Sequence, residues 1–308
     1  MAKAKTQLFS EISGSFKQGV TFRKLPNKAK QIFQRKPIPS YTRTDKQDNV
    51  RTGYRRLCDI WKKAEWLDKT VYTNFAGIYK ITPFNAWMKF NMPIMSRKPV
   101  LYLGMDEGQG TTAHDYSEFE NNGEIVGATW QKLSTGKHYL SFDGIDDHGL
   151  VPNIPNITEL TIMFWIRTTE TRNWKYPLSN EGNQPFSSGV KGWRFSLGIA
   201  GSQSNFDISE SETNYSRVNG GAINDGKWHF MVLWWDGIIQ RIYKDTKKKD
   251  EKTFSGDITN DLPIMLGVDY RLIGHARCDL CLVRIIAKAI PEEAFIKAFE
   301  IERHLFGV

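Results

Sequence analysis

From Val100 onward, large apolar residues fall in short runs, several of them alternating with polar positions, and each run stops at Gly, Asp or Asn. Such runs bounded by turn formers are the pattern of antiparallel strands. They predict strands at Val100–Leu103, Gly123–Val126, Tyr139–Phe142, Gly149–Val151, Leu160–Arg167, Gly192–Ile199, His229–Trp235, Ile239–Lys244, Ile264–Leu266 and Cys281–Ile286. Leu160–Arg167 (LTIMFWIR) is dense enough in large side chains to be a central strand. Turns are expected at Asp143-Gly144, Asn219-Gly220-Gly221, Asp225-Gly226 and Asp236-Gly237, the spacing of a β-sandwich. A closing helix begins at Pro291, with Glu292 and Glu293 where the helix dipole favours negative charge.

Ahead of Val100 the period changes. Gly14 to Lys24 alternates, turns through Leu25-Pro26-Asn27 and extends again at Gln31–Arg35, which reads as a hairpin. A proline-containing strap follows, KPIPSYTRTDKQDN. From Asp45, residues Val50, Tyr54, Leu57, Cys58 and Trp61 recur at helical spacing. Trp66 to Phe75 extends the helical reading, and Thr82-Pro83 opens another helix. Pro93 and Pro99 bracket a linker, so the expected units are 1–98 and 99–308.

Charge sharpens this division. Residues 1–98 hold 21 of the 42 Lys+Arg but only 6 of the 34 Asp+Glu, leaving 21 against 28 in the remainder. Opposite charge balances imply different partners. Arg51, Arg55, Arg56, Lys62 and Lys63 form a basic cluster on the first helix and are the candidate assembly contacts. No recognisable nucleic-acid module accompanies them, so an acidic protein surface is the expected partner rather than DNA. With 40% hydrophobic and 13% aromatic residues among 308, a packed core is expected. No signal-like apolar segment and no membrane-length run are present. Three cysteines make no disulfide framework, and Cys278 and Cys281 on one strand would face opposite ways.

The segments carry a family resemblance. LYLGMDEGQG, the G-x-x-x-G-A-x-W stretch and SFDGIDD open like laminin-G-like members of the concanavalin A-like group. TIMFWIRT, NDGKWHFMVLWWDG and CDLCLVRIIAKAIPEEAF continue the match to the chain's end. The resemblance implies a mainly β fold, a concanavalin A-like jelly-roll sandwich, preceded here by a small α+β basic unit. It also implies a calcium site at Asp115 and Asp279, although Glu118-Phe119 replace the family's Gly-Asn. Hydrolysis would need two carboxyls about 5–9.5 Å apart on one face, and no E-x-D-x-E run supplies them. Catalytic residues are therefore expected to be none.

For sugars, the requirement is an aromatic face among hydrogen-bonding groups. The loop-like stretch Thr168–Lys191 offers Trp174 and Tyr176, with Trp193 just beyond, as candidate glycan or partner contacts. The order of elements in residues 1–98 is similar to small structural proteins of tailed viruses and prophages, carried by Gly14, Gly19, Lys36, Pro37, Trp61, Trp66, Asn85, Trp87 and Asn91. The combined expectation is a non-enzymatic protein of a virion surface, cytoplasmic before assembly and oligomeric within it. Residues 1–98 would hold it to a shell or tail protein, and the sandwich would display a glycan-binding face. The alternative is a lectin whose main task is glycan capture, and after it a polysaccharide hydrolase.

Overall fold

The computed structural model describes residues 44–154, 157–181, 191–199 and 203–308, with the backbone of three strands nearer the N-terminus. Those strands, β1 (Gly14–Phe16), β2 (Val20–Arg23) and β3 (Ile32–Arg35), pair antiparallel in that order. They include the predicted hairpin, while the strap lies outside the described residues. The first compact unit ends at Asp45 and the second runs from Lys46 to Val308.

The second unit opens with helices α1 (Asp45–Lys63), α2 (Thr70–Tyr79) and α3 (Pro83–Met95). Its strands are β4 (Leu101–Leu103), β5 (Thr112–Ala113), β6 (Gly123–Val126), β7 (Thr129–Lys132), β8 (His138–Asp143), β9 (His148–Val151), β10 (Leu160–Arg167) and β11 (Lys175–Ser179). They continue as β12 (Gly192–Ile199), β13 (Gln203–Ser209), β14 (Tyr215–Ala222), β15 (Trp228–Trp235), β16 (Ile239–Lys244), β17 (Lys247–Thr253), β18 (Ile264–Leu266) and β19 (Arg277–Ile286), closed by α4 (Glu292–Phe306). One sheet runs β17-β16-β15-β10-β19-β8-β7 with β4 also on β19, and the other β14-β13-β12-β11-β18-β9-β6-β5. Leu160–Arg167 is central, as its composition requires, between β15 and β19.

Between the sheets, the rings of Phe164 and Phe195 meet edge to face at 5.0 Å. On the far side of β10, Trp165 stacks on Phe299 and Phe306 of α4. The helices therefore bury the outer face of the first sheet, and buried polar links fix them there. Asp106, without solvent access, accepts the hydroxyls of Tyr72 on α2 at 2.8 Å and Tyr116 at 2.6 Å, and pairs with buried Lys137. Tyr102 on β4 donates to Asn91 on α3 at 2.6 Å and lies under the Arg284 guanidinium. Arg284 in turn pairs with Glu302 of α4 at 2.7 Å, which also accepts the Trp165 indole N–H.

Two expectations change here. The division at 98/99 is not where the compact units part: Leu57, Val71, Trp87 and Ile94 share one hydrophobic core with the sandwich. Nor does α1 bury the expected stripe. Gly53, Leu57 and Ile60 face inward, while Val50 and Tyr54 are exposed. Gly53 sets that rotation, because a Cβ there would meet the Met95 carbonyl oxygen of α3 at 2.9 Å.

Replacing Asp106 with Asn leaves the Lys137 charge buried without its counter-ion. Urea unfolding should show a loss of about 3 kcal/mol. A fragment starting at residue 99 should aggregate, whereas 46–308 should melt in one transition by calorimetry.

Candidate functional site

The second sheet carries a row of polar residues that is buried along most of its length and reaches solvent at Arg217 and Trp174. Phe195 points between the sheets, so its strand neighbours Arg194 and Ser196 point outward. Cross-strand register then lines up Ser179, Arg194, Asp207 and Arg217 across β11, β12, β13 and β14. The row alternates in charge. Asp207, fully buried, accepts from Arg194 Nε at 3.1 Å, from Ser196 Oγ at 2.9 Å and from Arg217 Nε at 2.5 Å. The Arg217 guanidinium covers the Trp174 ring at 5.3 Å, and Arg194 covers the Tyr176 ring at 5.3 Å. Stacked cations of this kind hold an aromatic ring and a fork of N–H donors in one place.

Trp174 is half-buried and adopts φ +58, a left-handed conformation that is costly for an aromatic residue. The chain pays this where it lies closely against two glycines. A Cβ at Gly198 would strike the Arg172 carbonyl at 2.0 Å, and one at Gly274 the Trp174 carbonyl at 2.6 Å. The backbone is therefore held in the geometry that sets the ring beside Arg217.

Glu181, just beyond β11, extends the row. It is 0% exposed on its side chain and 3.7 Å from Arg194 Nε, and neither carboxylate oxygen has a hydrogen-bond partner among the described residues. Burial pushes its carboxyl up to about 7 against the pull of Arg194.

Of the aromatic candidates, only Trp174 lies where a ligand could reach it. Tyr176 is on the same face but fully buried under Arg194, and Trp193 is fully buried in the core. Both correct the expectation of an accessible ring. The stretch expected to be a loop contains β11, which is why its aromatic residues are drawn inward. Arg194, Asp207, Arg217 and Glu181 were not singled out from sequence. Their signal was polar residues at alternate positions in GWRFSLGI, QSNFDIS and YSRVNGGA.

The calcium candidates are not brought together by any shared partner. Asp115 accepts four donors: the N–H groups of Tyr102, Ser117 and Asn121, and the Ser117 hydroxyl. Asp279 instead binds Arg167 Nε at 2.7 Å. Lone pairs already committed in this way leave Asp115 as a loop organiser, correcting its assignment as a ligand. Among the described residues, the acids close enough to share an ion are Asp143, Asp146 and Asp147, and Asp147 is already accepting the Asp143 N–H at 2.8 Å.

In the basic cluster, Arg51, Arg55, Lys62 and Lys63 remain on exposed positions of α1. Arg56 turns inward, bonding the carbonyls of Tyr116 and Asp115 and pairing with Glu120 at 2.6 Å. It belongs to the sandwich rather than to a partner surface. No helix among the described residues is long and apolar enough to cross a membrane.

Comparison with known proteins agrees with this geometry. Residues 143–294 match the family model of the concanavalin A-like lectin/glucanases superfamily. Among solved structures, the chain is similar to the binding domain of Paraclostridial Mosquitocidal Protein 1, at 17% identity and a TM-score of 0.54, over 66% of this chain and 52% of that one. It is also similar to the botulinum neurotoxin serotype D binding domain, at 15% identity and a TM-score of 0.51, over 66% and 52%. A third is the binding domain of botulinum neurotoxin DC in complex with SialylT, at 16% identity and a TM-score of 0.50, over 66% and 51%. The match spans about half the length of those chains, and at such identities the likeness is one of fold. No curated protein matches the chain.

The Glu181 carboxyl gives a pH test. In the unfolded chain it ionises near 4.5, and in the folded protein near 7. Between these values the folded state holds the extra proton, so stability falls as pH rises from 4.5 to 7 and is flat above. Glu181→Gln removes that loss. Its unfolding free energy relative to the parent should improve by about 3 kcal/mol between pH 4.5 and pH 8, measured by denaturant titration.

Proposed function

We propose that this concanavalin A-like sandwich is a non-catalytic glycan-binding, adhesive domain, and that it engages a saccharide at the Trp174 edge of its second sheet. The observation that carries the reading is Trp174, half-buried and held in a costly backbone conformation, with its ring beside the part-exposed Arg217 that buried Asp207 anchors. An aromatic face bordered by fixed donors and acceptors is what a sugar ring needs: apolar C–H surface on one side, hydroxyls on the other. The binding domain of botulinum neurotoxin DC, solved in complex with SialylT, is similar in fold over this region, which supports a binding role. The expected partner is a surface glycan.

Charge supports an attachment role for the remainder. Residues 1–45 hold 10 Lys+Arg against 2 Asp+Glu, and residues 46–308 hold 32 of each, so the whole formal charge of +8 belongs to the first unit. A cationic segment beside a neutral domain fits docking onto an acidic protein surface. We take that surface to be the shell or tail of a virus particle, where many copies would raise the avidity of a weak glycan site. The anchoring segment is then shorter than the 98 residues first expected.

Glycan-array screening followed by titration tests the binding site. Trp174→Ala should weaken binding of the selected oligosaccharide by at least about tenfold, the cost of one lost stacking surface, with unchanged thermal stability. Equal binding by the variant would refute the site, and release of reducing sugar would refute the non-catalytic reading. Removing residues 1–45 should abolish co-sedimentation with particles at low salt and leave glycan affinity intact.

A further inference from the structure

A second pocket lies on the first sheet, beyond the end of α4. There Phe306 covers Trp165 and touches Trp228, and the next row of the sheet is left open. Register places Ser141 of β8, Asp279 of β19, Arg167 of β10 and Trp228 of β15 side by side. Ser141, Arg167 and Asp279, with Thr169 and Arg277, border a cavity of about 290 Å³.

Arg167 is unusually fixed. Its guanidinium packs against the rings of both Tyr139 and Trp228, 5.2 and 5.1 Å from their centroids. Nε is bonded to Asp279 at 2.7 Å and Nη2 to the Tyr139 hydroxyl at 2.9 Å, leaving Nη1 without a bond. Arg277 commits only its side-chain Nε, to the Asp143 carbonyl at 3.3 Å, so both of its Nη groups are free. The hydroxyls of Ser141 and Thr169 also border the cavity, with no hydrogen bond to another of the described residues. The acids nearby are already engaged: Asp279 by Arg167, and Glu170 by Arg172 and the Arg277 N–H. The pocket therefore offers one fixed guanidinium, a second exposed one on Arg277, and two hydroxyls, with Asp279 neutralised by its pairing with Arg167. Its complement is a small anion with acceptors in a plane, which a carboxylate supplies to a guanidinium fork. The volume suits one sugar unit.

We infer that this pocket is a subsite for the carboxylate of an acidic sugar, separate from the Trp174 face. The inference takes the sugar from the glycan-binding reading and the charge from the geometry of Arg167 and Arg277. The segment 168–174 runs in the chain from the pocket to Trp174.

Titrating the full chain with sodium glucuronate, and reading the indole N–H signal of Trp228 by NMR, tests it. Glucuronate should shift that signal saturably, and glucose at the same concentration should not. Arg277→Gln, on an exposed side chain that carries no core contact, should weaken glucuronate about tenfold, and Arg167→Lys should do the same while keeping the charge. Trp174→Ala should leave this titration unchanged. Absence of saturation by glucuronate would overturn the subsite, as would sodium sulfate binding as tightly as glucuronate, or full affinity in Arg277→Gln. If neutral oligosaccharides still bind through Trp174 in that case, the first reading stands and only the second fails.

Discussion

A carboxylate shut away from water must be met on every side, and Asp106 is met by groups from separate parts of the chain. Lys137 comes from the start of the β8 hairpin, Tyr116 from the loop after β5, and Tyr72 from α2. Taking any one away would leave a charge or a hydroxyl stranded in a medium that cannot solvate it. The arrangement therefore ties the helices and the sandwich into one cooperative body. Glu302 makes the same kind of junction for α4, between Arg284 and the Trp165 indole. Helices with small apolar faces, which could not be stable alone, gain their core from the sheet they cover.

That coverage decides where the molecule can act. One outer face of the sandwich is largely taken up by α4 and the helices before β4, and its end around Arg167 stays open. The other sheet carries an alternation of Arg and Asp across neighbouring strands, buried at Arg194 and Asp207 and reaching solvent at Arg217. Opposite charges directly across a sheet stabilise the pairing and fix each guanidinium. The same fixing holds Arg217 against Trp174 at the edge of the sheet. The open end and the polar face are linked by residues 168–174, which makes that short segment the most consequential loop of the sandwich.

Much of the architecture was legible before any coordinates. Leu160–Arg167, Gly192–Ile199, Ile239–Lys244 and Ile264–Leu266 form with the bounds their composition predicts. These strands bury one or both faces, and apolar density announces them. The strands β13, β14 and β17 were missed for the opposite reason. Their outward residues are Asn, Asp, Arg and Lys, and β17 reads KKKDEKT, so a hydrophobic signal is weak or absent and cross-strand pairing carries them. The helix α1 was found, but not its rotation, which depends on Gly53 meeting α3.

The site divides along the same line. Sequence alone pointed to an antiparallel β-sandwich over residues 99–308 and to an aromatic residue near position 174 among polar neighbours. Alternation and turn chemistry are local, and local rules suffice for them. Only the tertiary structure decided that Trp174 stays within reach while Tyr176 and Trp193 are sealed, that Asp115 organises a loop, and that Arg56 is bound inward. Those outcomes depend on which strand pairs beside which, and on what covers each face. Residues far apart in the chain settle that, through contacts that exist only once the sheets have closed.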